Sequence, residues 1–271
     1  MENSFYSINV KDLNYSYDDK KILQDINISL EKNKFYSIIG PNGSGKTTLL
    51  KNIARILPPQ KECIYIDGKE INSYKVRDLA KKMASVPQNT NIDFDFTVLD
   101  IILMGRSPYL KAFQNEGEKD LKIAHEVMEM TNTWHLKDKN INELSGGERQ
   151  RVIIARALAQ ESEIILLDEP ISNLDMQHQL EILDTVKYLN REVTIVAVLH
   201  DLNLAGEYSD YILMLKEGKI LSSGKPEQVL TEKNIKETYN MDTYILKNPV
   251  TGKPHIIPVS KRSLIEKTLV I

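Results

Sequence analysis

A single cysteine, Cys63, serves a chain of 271 residues. An internal disulfide is therefore excluded, which suits a reducing compartment. Long hydrophobic runs are missing too. Stretches such as VTIVAVL at 193–199 are strand-sized and far too short to cross a bilayer. The N-terminus, MENSFYSINV, has no basic stretch followed by an apolar one, so no secretory signal is visible. There is no excess of positive charge: the formal net charge is −3, which gives no electrostatic ground for a nucleic-acid partner. Internal repeats and low-complexity segments are absent. These absences point to a cytoplasmic protein. What remains is ordinary for a soluble globular chain, with 41% hydrophobic and 27% charged residues. The length allows one large domain or two small ones around a substantial core.

The periodicities sort the chain into elements. Ile26, Ile28 and Leu30 alternate with Asn27 and Ser29, the period of a half-buried strand, and SINVKDLNYSY at 7–17 alternates with one slip. FYSIIG at 35–40 leads into a glycine-rich loop, and TTLLKNIARIL at 47–57 follows with helical spacing. Asp67-Gly68 and Glu217-Gly218 each sit between β-prone runs and signal hairpins. MASVPQ at 83–88 reads as a buried strand stopped by Pro87. From 97 to about 160 the patterns are helical, with no convincing strand until 164, so a helical insert is expected. The unbroken runs EIILLD at 163–168 and VTIVAVLH at 193–200 read as central parallel strands covered on both faces. Between them, Ile182, Leu183, Val186 and Leu189 share one helical face. Strands alternating with helices give an α/β class built on a parallel sheet. The tail from about 240 carries no clear pattern and is expected to be a short extension packed on the body.

Two glycine-rich stretches carry the chemistry. Gly40-Pro41-Asn42-Gly43-Ser44-Gly45-Lys46-Thr47 fits G-x-x-x-x-G-K-[ST] between an expected strand and an expected helix. The glycines let successive N–H groups turn toward phosphate oxygens, and the helix adds its positive end. Lys46 can reach the β- and γ-phosphates, and the Thr47 hydroxyl can ligate Mg²⁺. Asp168 and Glu169 end the IILLDE run, where open α/β sheets gather ligands. Asp168 can hold Mg²⁺ through water. Glu169 can act as general base toward the attacking water. The second stretch, LSGGERQR at 144–151, places Ser145, Gly146 and Gly147 where a polar loop becomes a helix. It is a second anion cradle made of N–H groups, a hydroxyl and a helix N-terminus. One phosphate loop already suffices to bind ATP. Two copies arranged head to tail about a twofold axis would bring each copy's second cradle onto the other's nucleotide.

GPNGSGKTT, VPQ, LSGGERQR, IILLDEP, SNLD and VLHD occur in the order and spacing of an ABC-transporter ATPase, and the resemblance covers nearly the whole chain. It implies a P-loop NTPase fold: a RecA-like core, an N-terminal antiparallel β-subdomain and a helical subdomain. In residues, it implies an ATPase domain over 1–240 with the helical subdomain inserted at about 90–160, and an extension over 241–271. It also implies ATP-sandwich homodimers with Mg²⁺. Carried over by motif, Tyr17 resembles the aromatic that stacks on adenine, with a plain strand aromatic as the alternative because Tyr15 alternates with it. Gly40 to Thr47 with Thr48 form the ATP loop. Gln88 resembles the glutamine that touches Mg²⁺ and senses the permease. Ser145, Gly146, Gly147 and Glu148 resemble the signature that meets the other subunit's ATP. Asp175 resembles the aspartate of the dimer-contacting loop, and His200 the histidine that grips the γ-phosphate. Lys46, Glu169 and His200 are thus the catalytic set, and Thr47, Gln88 and Asp168 the Mg²⁺ set. Ile171 departs from the threonine frequent in the family, at a position not expected to touch ATP.

Within that family, VLDIILMGRSPYL after Gln88 and the region from His200 to Asp242 are similar to importers of iron–siderophore complexes, haem and cobalamin. The resemblance implies two copies of this chain, two polytopic permease subunits and an external binding protein, with the ATPase peripheral on the cytoplasmic face of the membrane. An exporter with separate membrane subunits, or a soluble ABC ATPase, is the alternative. His125, His135, His178 and His255 have no ligand spacing. Lys75, Arg77, Lys81 and Lys82 read as a solvated basic face.

Overall fold

Alternation near the N-terminus becomes a long antiparallel ribbon in the computed structural model, which describes residues 5–88, 94–172 and 174–260. Expectations falling on 90–93, on Asn173 and on 261–271 lie outside the described residues. Strand β1 (Tyr6–Tyr17) pairs with β2 (Lys20–Glu31), and the slip in its alternation is a set of register shifts, as between Val10 and Leu13. Such bulges turn a strand and change which face its side chains meet. Next come β3 (Phe35–Ile39), α1 (Lys46–Ile53), β4 (Ile64–Ile66), β5 (Lys69–Glu70), α2 (Val76–Lys82) and β6 (Met83–Val86). Then α3 (Val98–Leu103), α4 (Glu118–Met130) and α5 (Gly146–Ala159) follow with no strand among them. The rest is β7 (Ile164–Asp168), α6 (Met176–Leu189), β8 (Thr194–Val198), α7 (Leu202–Tyr208), β9 (Tyr211–Lys216) and β10 (Lys219–Gly224). It ends with α8 (Pro226–Val229), α9 (Glu232–Tyr239), β11 (Asp242–Lys247) and β12 (Pro254–Val259).

The sheets run β2-β1-β4-β5, β10-β9-β3-β8-β7-β6 and β11-β12. In the middle sheet every pair is parallel except the edge pair β9–β10. Strands β3, β7 and β8 are buried at every position, which explains why their sequences read as unbroken apolar runs. Their alternate residues feed two cores. Ile38, Ile164, Leu166, Val196 and Val198 pack toward the antiparallel sheet and α1. Phe35, Ile39, Ile165, Leu167, Ile195 and Ala197 pack toward the helices α3 to α6. Both expected turns form with paired left-handed residues: Asp67 (φ 48°) with Gly68 (φ 76°), and Glu217 (φ 48°) with Gly218 (φ 78°). The described part of the C-terminal tail, patternless in sequence, is a hairpin of β11 and β12.

One sequence expectation needs correction. The basic stretch is not a solvated face throughout. Arg77 donates to the carbonyls of Pro108 and Leu110, both at 2.7 Å, and Lys82 pairs with Asp67 and Glu163 at 3.1 and 2.5 Å. His178, which had no ligand spacing, is engaged as well: its Nδ1 lies 2.8 and 2.9 Å from the two Asp175 carboxylate oxygens. A third feature had no sequence signal. Arg106 is 1% exposed and ties the turn after α3 to two helices. It donates to Asp120 at 2.9 Å, to the Ala159 carbonyl at 2.6 Å and to Glu161 at 2.8 Å, and its guanidinium lies over the Tyr109 ring. A buried charge persists only with such a full set of partners.

Candidate functional site

The phosphate loop leaves β3 at its C-terminal end and enters α1 at Lys46. Gly40 is required by close approach: a Cβ there would sit 2.3 Å from the Leu215 carbonyl oxygen. Gly45 N-caps α1 in a left-handed conformation (φ 102°) that other residues rarely adopt. The loop is also held from outside, because Gly218 N–H donates to the Ser44 carbonyl at 3.0 Å. Lys46 is buried and folds back over the loop, donating to the carbonyls of Gly40 and Pro41 at 2.9 and 3.0 Å. Burial lowers its pKa from the ordinary lysine value, against the opposing pull of the Glu169 and Asp168 charges.

Facing the loop, Asp168 ends β7 and is 3% exposed. The Thr47 hydroxyl donates to its Oδ1 at 3.0 Å. Burial is the main cause that raises the Asp168 pKa, and the Thr47 bond and the Lys51 and Lys46 charges only partly oppose it. Glu169 follows in a left-handed conformation (φ 53°), an unusual state for a non-glycine residue and a form of strain found at functional sites. Its carboxylate is gripped on both oxygens. Gln88 Nε2 donates to Oε2 at 2.7 Å, and His200 Nε2 lies 2.6 Å from Oε1. The chain thus brings the C-terminal ends of β6, β7 and β8 together on one side of the phosphate loop, since these strands neighbour one another in the sheet. Between them lies a cleft of about 670 Å³, lined among others by Asn42, Lys46, Thr47, Gln88, Glu169 and His200. That size suits a small ligand or cofactor.

Sequence reasoning missed two residues of this cleft, Lys20 and Ile22. They arrive because β2 and the loop share the β9–β10 turn: Gln24 N–H donates to the Gly218 carbonyl at 2.8 Å, and Gly218 N–H donates to the Ser44 carbonyl. No spacing could have linked them to the loop. Tyr17 stands apart: it is 45% exposed, packs edge-on against Tyr15 and is not among the cleft-lining residues.

The second glycine stretch does not line the cleft either. Ser145 N-caps α5 in a reciprocal capping box. Its hydroxyl accepts from Glu148 N–H at 3.3 Å, and Glu148 accepts from Ser145 N–H at 2.8 Å. Hydrogen bonds from the Ser145 side chain and N–H to its carboxylate lower the Glu148 pKa. The hydroxyl expected to face an anion is therefore committed to the cap, while Gly146 is exposed with open space where a Cβ would be. Asp175 is exposed and N-caps α6, accepting from His178 N–H at 3.0 Å; this bond leads the causes that lower its pKa.

Comparison with known proteins fits this geometry. The ABC transporter family matches residues 23–172. Over 250 residues the chain is 40% identical to the iron(3+)-hydroxamate import ATP-binding protein FhuC of Bacillus subtilis, covering 92% of this chain and 93% of that protein. It is 35% identical over 263 residues to the ferric enterobactin transport ATP-binding protein FepC of Escherichia coli, covering 96% and 97%. Among solved structures, an inward-facing metal-chelate type ABC transporter, described as putative, matches with a TM-score of 0.82 at 29% identity, over 95% of this chain and 99% of that one.

Proposed function

This chain belongs to the ABC transporter family of ATP-binding proteins, and on that premise we propose that it is the ATP-hydrolysing subunit of an importer for a chelated metal. One observation carries the catalytic part. Lys46, Thr47, Glu169, Gln88 and His200 line one cleft, with Asp168 bonded to Thr47 behind it, while Ser145, Gly146 and Gly147 lie outside it. A cleft complete for phosphate but separate from its second anion cradle supports a head-to-tail homodimer, in which each signature closes on the other subunit's ATP. Asp175 and Glu148 would lie at that contact, and Tyr17 would meet the adenine. The unit would be an ATPase domain over 1–240 with helices inserted at about 90–160, plus the extension over 241–271.

The chemistry follows from charge. The loop N–H groups and Lys46 bind the phosphates, and Lys46 gives up its two carbonyl contacts for phosphate oxygens. His200 and Gln88 leave Glu169 for the γ-phosphate end. Glu169, freed and held close by its strained backbone, accepts a proton from the attacking water as that water bonds to the γ-phosphorus and the bond from that phosphorus to the β,γ-bridging oxygen breaks, which leaves ADP and inorganic phosphate. Mg²⁺ fits the donors present: a hydroxyl, a carboxylate and an amide are hard oxygen ligands, and Thr47 and Asp168 already touch at 3.0 Å. Among the described residues no cluster of three or more His, Cys, Asp or Glu side chains could hold a metal by itself, so such an ion would take further ligands from ATP. Bound there, it would neutralise phosphate charge. We place two such subunits under two permease subunits at the cytoplasmic face of the membrane, served by an external binding protein. Among the described residues no helix is long and apolar enough to cross a membrane. The names of the relatives, which include the petrobactin import protein FpuD of Bacillus anthracis, support a ferric siderophore cargo, with haem or cobalamin in the same class.

The test is to tag the chain, purify it from gently solubilised native membranes and identify its companions by mass spectrometry. A pair of many-helix permeases with a binding protein is expected. Soluble companions alone, from a preparation in which other membrane complexes survive, would overturn the transport reading and leave the ATPase chemistry standing.

A further inference from the structure

The hairpin of β11 and β12 has no part in the chemistry above, yet it grips the helix that follows His200. Helix α7 begins two residues after the histidine. Asp201 caps it, accepting from Asn203 N–H at 2.7 Å and from Leu204 N–H at 3.0 Å. At seven residues it is too short to be stable alone, since the cost of nucleation is repaid by few helical bonds. An isolated two-stranded hairpin is marginal for a similar reason. Each is completed by the other. The Asn203 side chain closes on both backbone groups of Ile256: Oδ1 accepts its N–H at 2.7 Å and Nδ2 donates to its carbonyl at 3.3 Å. Further along, the Thr251 hydroxyl donates to Glu207 at 2.8 Å and Lys253 reaches the Ser209 carbonyl at 3.4 Å. Gly206 is closely covered on this side: a Cβ there would stand 3.0 Å from a Leu230 methyl and 3.3 Å from the Pro254 carbonyl oxygen. Ile256 is 4% exposed and joins the same core as Ala205. On its other side α7 is tied to α6 by the Tyr208 hydroxyl, which donates to Asp184 at 2.8 Å.

We infer that the C-terminal hairpin is a brace that positions His200: it fixes α7, and through α7 the ring that reaches Glu169. The inference rests on the proposed role of His200 at the γ-phosphate. Asn203 is then a positioning residue that never touches nucleotide. The brace acts on hydrolysis and not on nucleotide capture, because Lys46 and the phosphate loop lie on a different segment.

The test uses the full chain with Asn203→Leu, which keeps the size of the side chain and removes both bonds to Ile256, beside Thr251→Ala and His200→Ala. For Asn203→Leu the expected result is an ATP Kd and KM within about twofold of wild type and a kcat lowered about tenfold or more, as a small misplacement of a catalytic group produces. A merely structural role would lower the melting temperature and leave kcat per folded molecule unchanged, and that outcome overturns the brace. If Asn203→Leu does not fold, Thr251→Ala at the exposed end of the hairpin decides. A kcat lowered about threefold at constant KM supports the brace, and wild-type kcat overturns it. An inactive His200→Ala beside a fully active Asn203→Leu refutes the brace alone. A His200→Ala with wild-type turnover overturns the role of His200, and the brace with it.

Discussion

His200 Nε2 lies 2.6 Å from Glu169 Oε1, and Gln88 holds the other carboxylate oxygen at 2.7 Å. The residue proposed as general base is thus occupied by the two residues proposed to meet the γ-phosphate. On the proposed mechanism, nucleotide arrival and release of the base would be one exchange of partners.

Glu169→Gln removes the base and leaves both anion cradles intact. ATP binding is expected to persist, turnover to fall by about 10²-fold or more, and the Mg-ATP form to accumulate as a dimer. Size-exclusion chromatography with Mg-ATP checks this, and a variant that stays monomeric would contradict the shared site.

Lys46→Ala is expected to abolish measurable ATP affinity in calorimetry. The wild-type pH dependence adds a sharper test. Burial lowers the Lys46 pKa, so the empty protein loses this charge at a lower pH than an ordinary lysine would. Phosphate favours the charged form. Binding should therefore take up protons, and affinity should fall as pH rises through the lowered pKa, below the usual lysine range. Calorimetry in buffers of different ionisation enthalpy reads the proton directly.

Asp168 behaves in the opposite sense. Its raised pKa means that the ionised form is a cost to the empty fold above that pKa, relieved as pH falls through it. A divalent cation favours the ionised form. Mg²⁺ dependence of nucleotide binding should therefore weaken on acidification at a higher pH than for an ordinary carboxylate. Asp168→Asn should keep or raise the melting temperature while losing hydrolysis, and a destabilised variant would count against burial as the cause.

Ser145→Arg fills the second cradle. ATP binding should match wild type, hydrolysis should fail, and stability should drop by about 1 kcal/mol as the cap bond to Glu148 is lost. Normal turnover in that variant would argue against a signature shared between subunits.

Arg106→Met tests the buried clamp away from the cleft. It leaves Asp120 and the Ala159 carbonyl without their partner, and a loss of about 3–5 kcal/mol in denaturant unfolding is expected. Nucleotide affinity of the folded fraction should be unchanged.

Residues close in sequence told their own story. The phosphate loop needs only glycines that can turn and a lysine and threonine at fixed offsets, so Gly40 to Thr47 were legible at once. Unbroken apolar runs announced β7 and β8, and Asp67-Gly68 and Glu217-Gly218 announced their hairpins, because these are matters of local burial and local φ. The pairing of Thr47 with Asp168 across 121 positions, and of Gln88 with Glu169 across 81, depended on the order of strands in the sheet. Periodicity reports that a side chain is buried, never against what. For that reason the cleft entry of Lys20 and Ile22, the burial of Arg106, the bonds of Arg77 and Lys82, and the grip of the C-terminal hairpin on α7 were decided only when distant segments packed together.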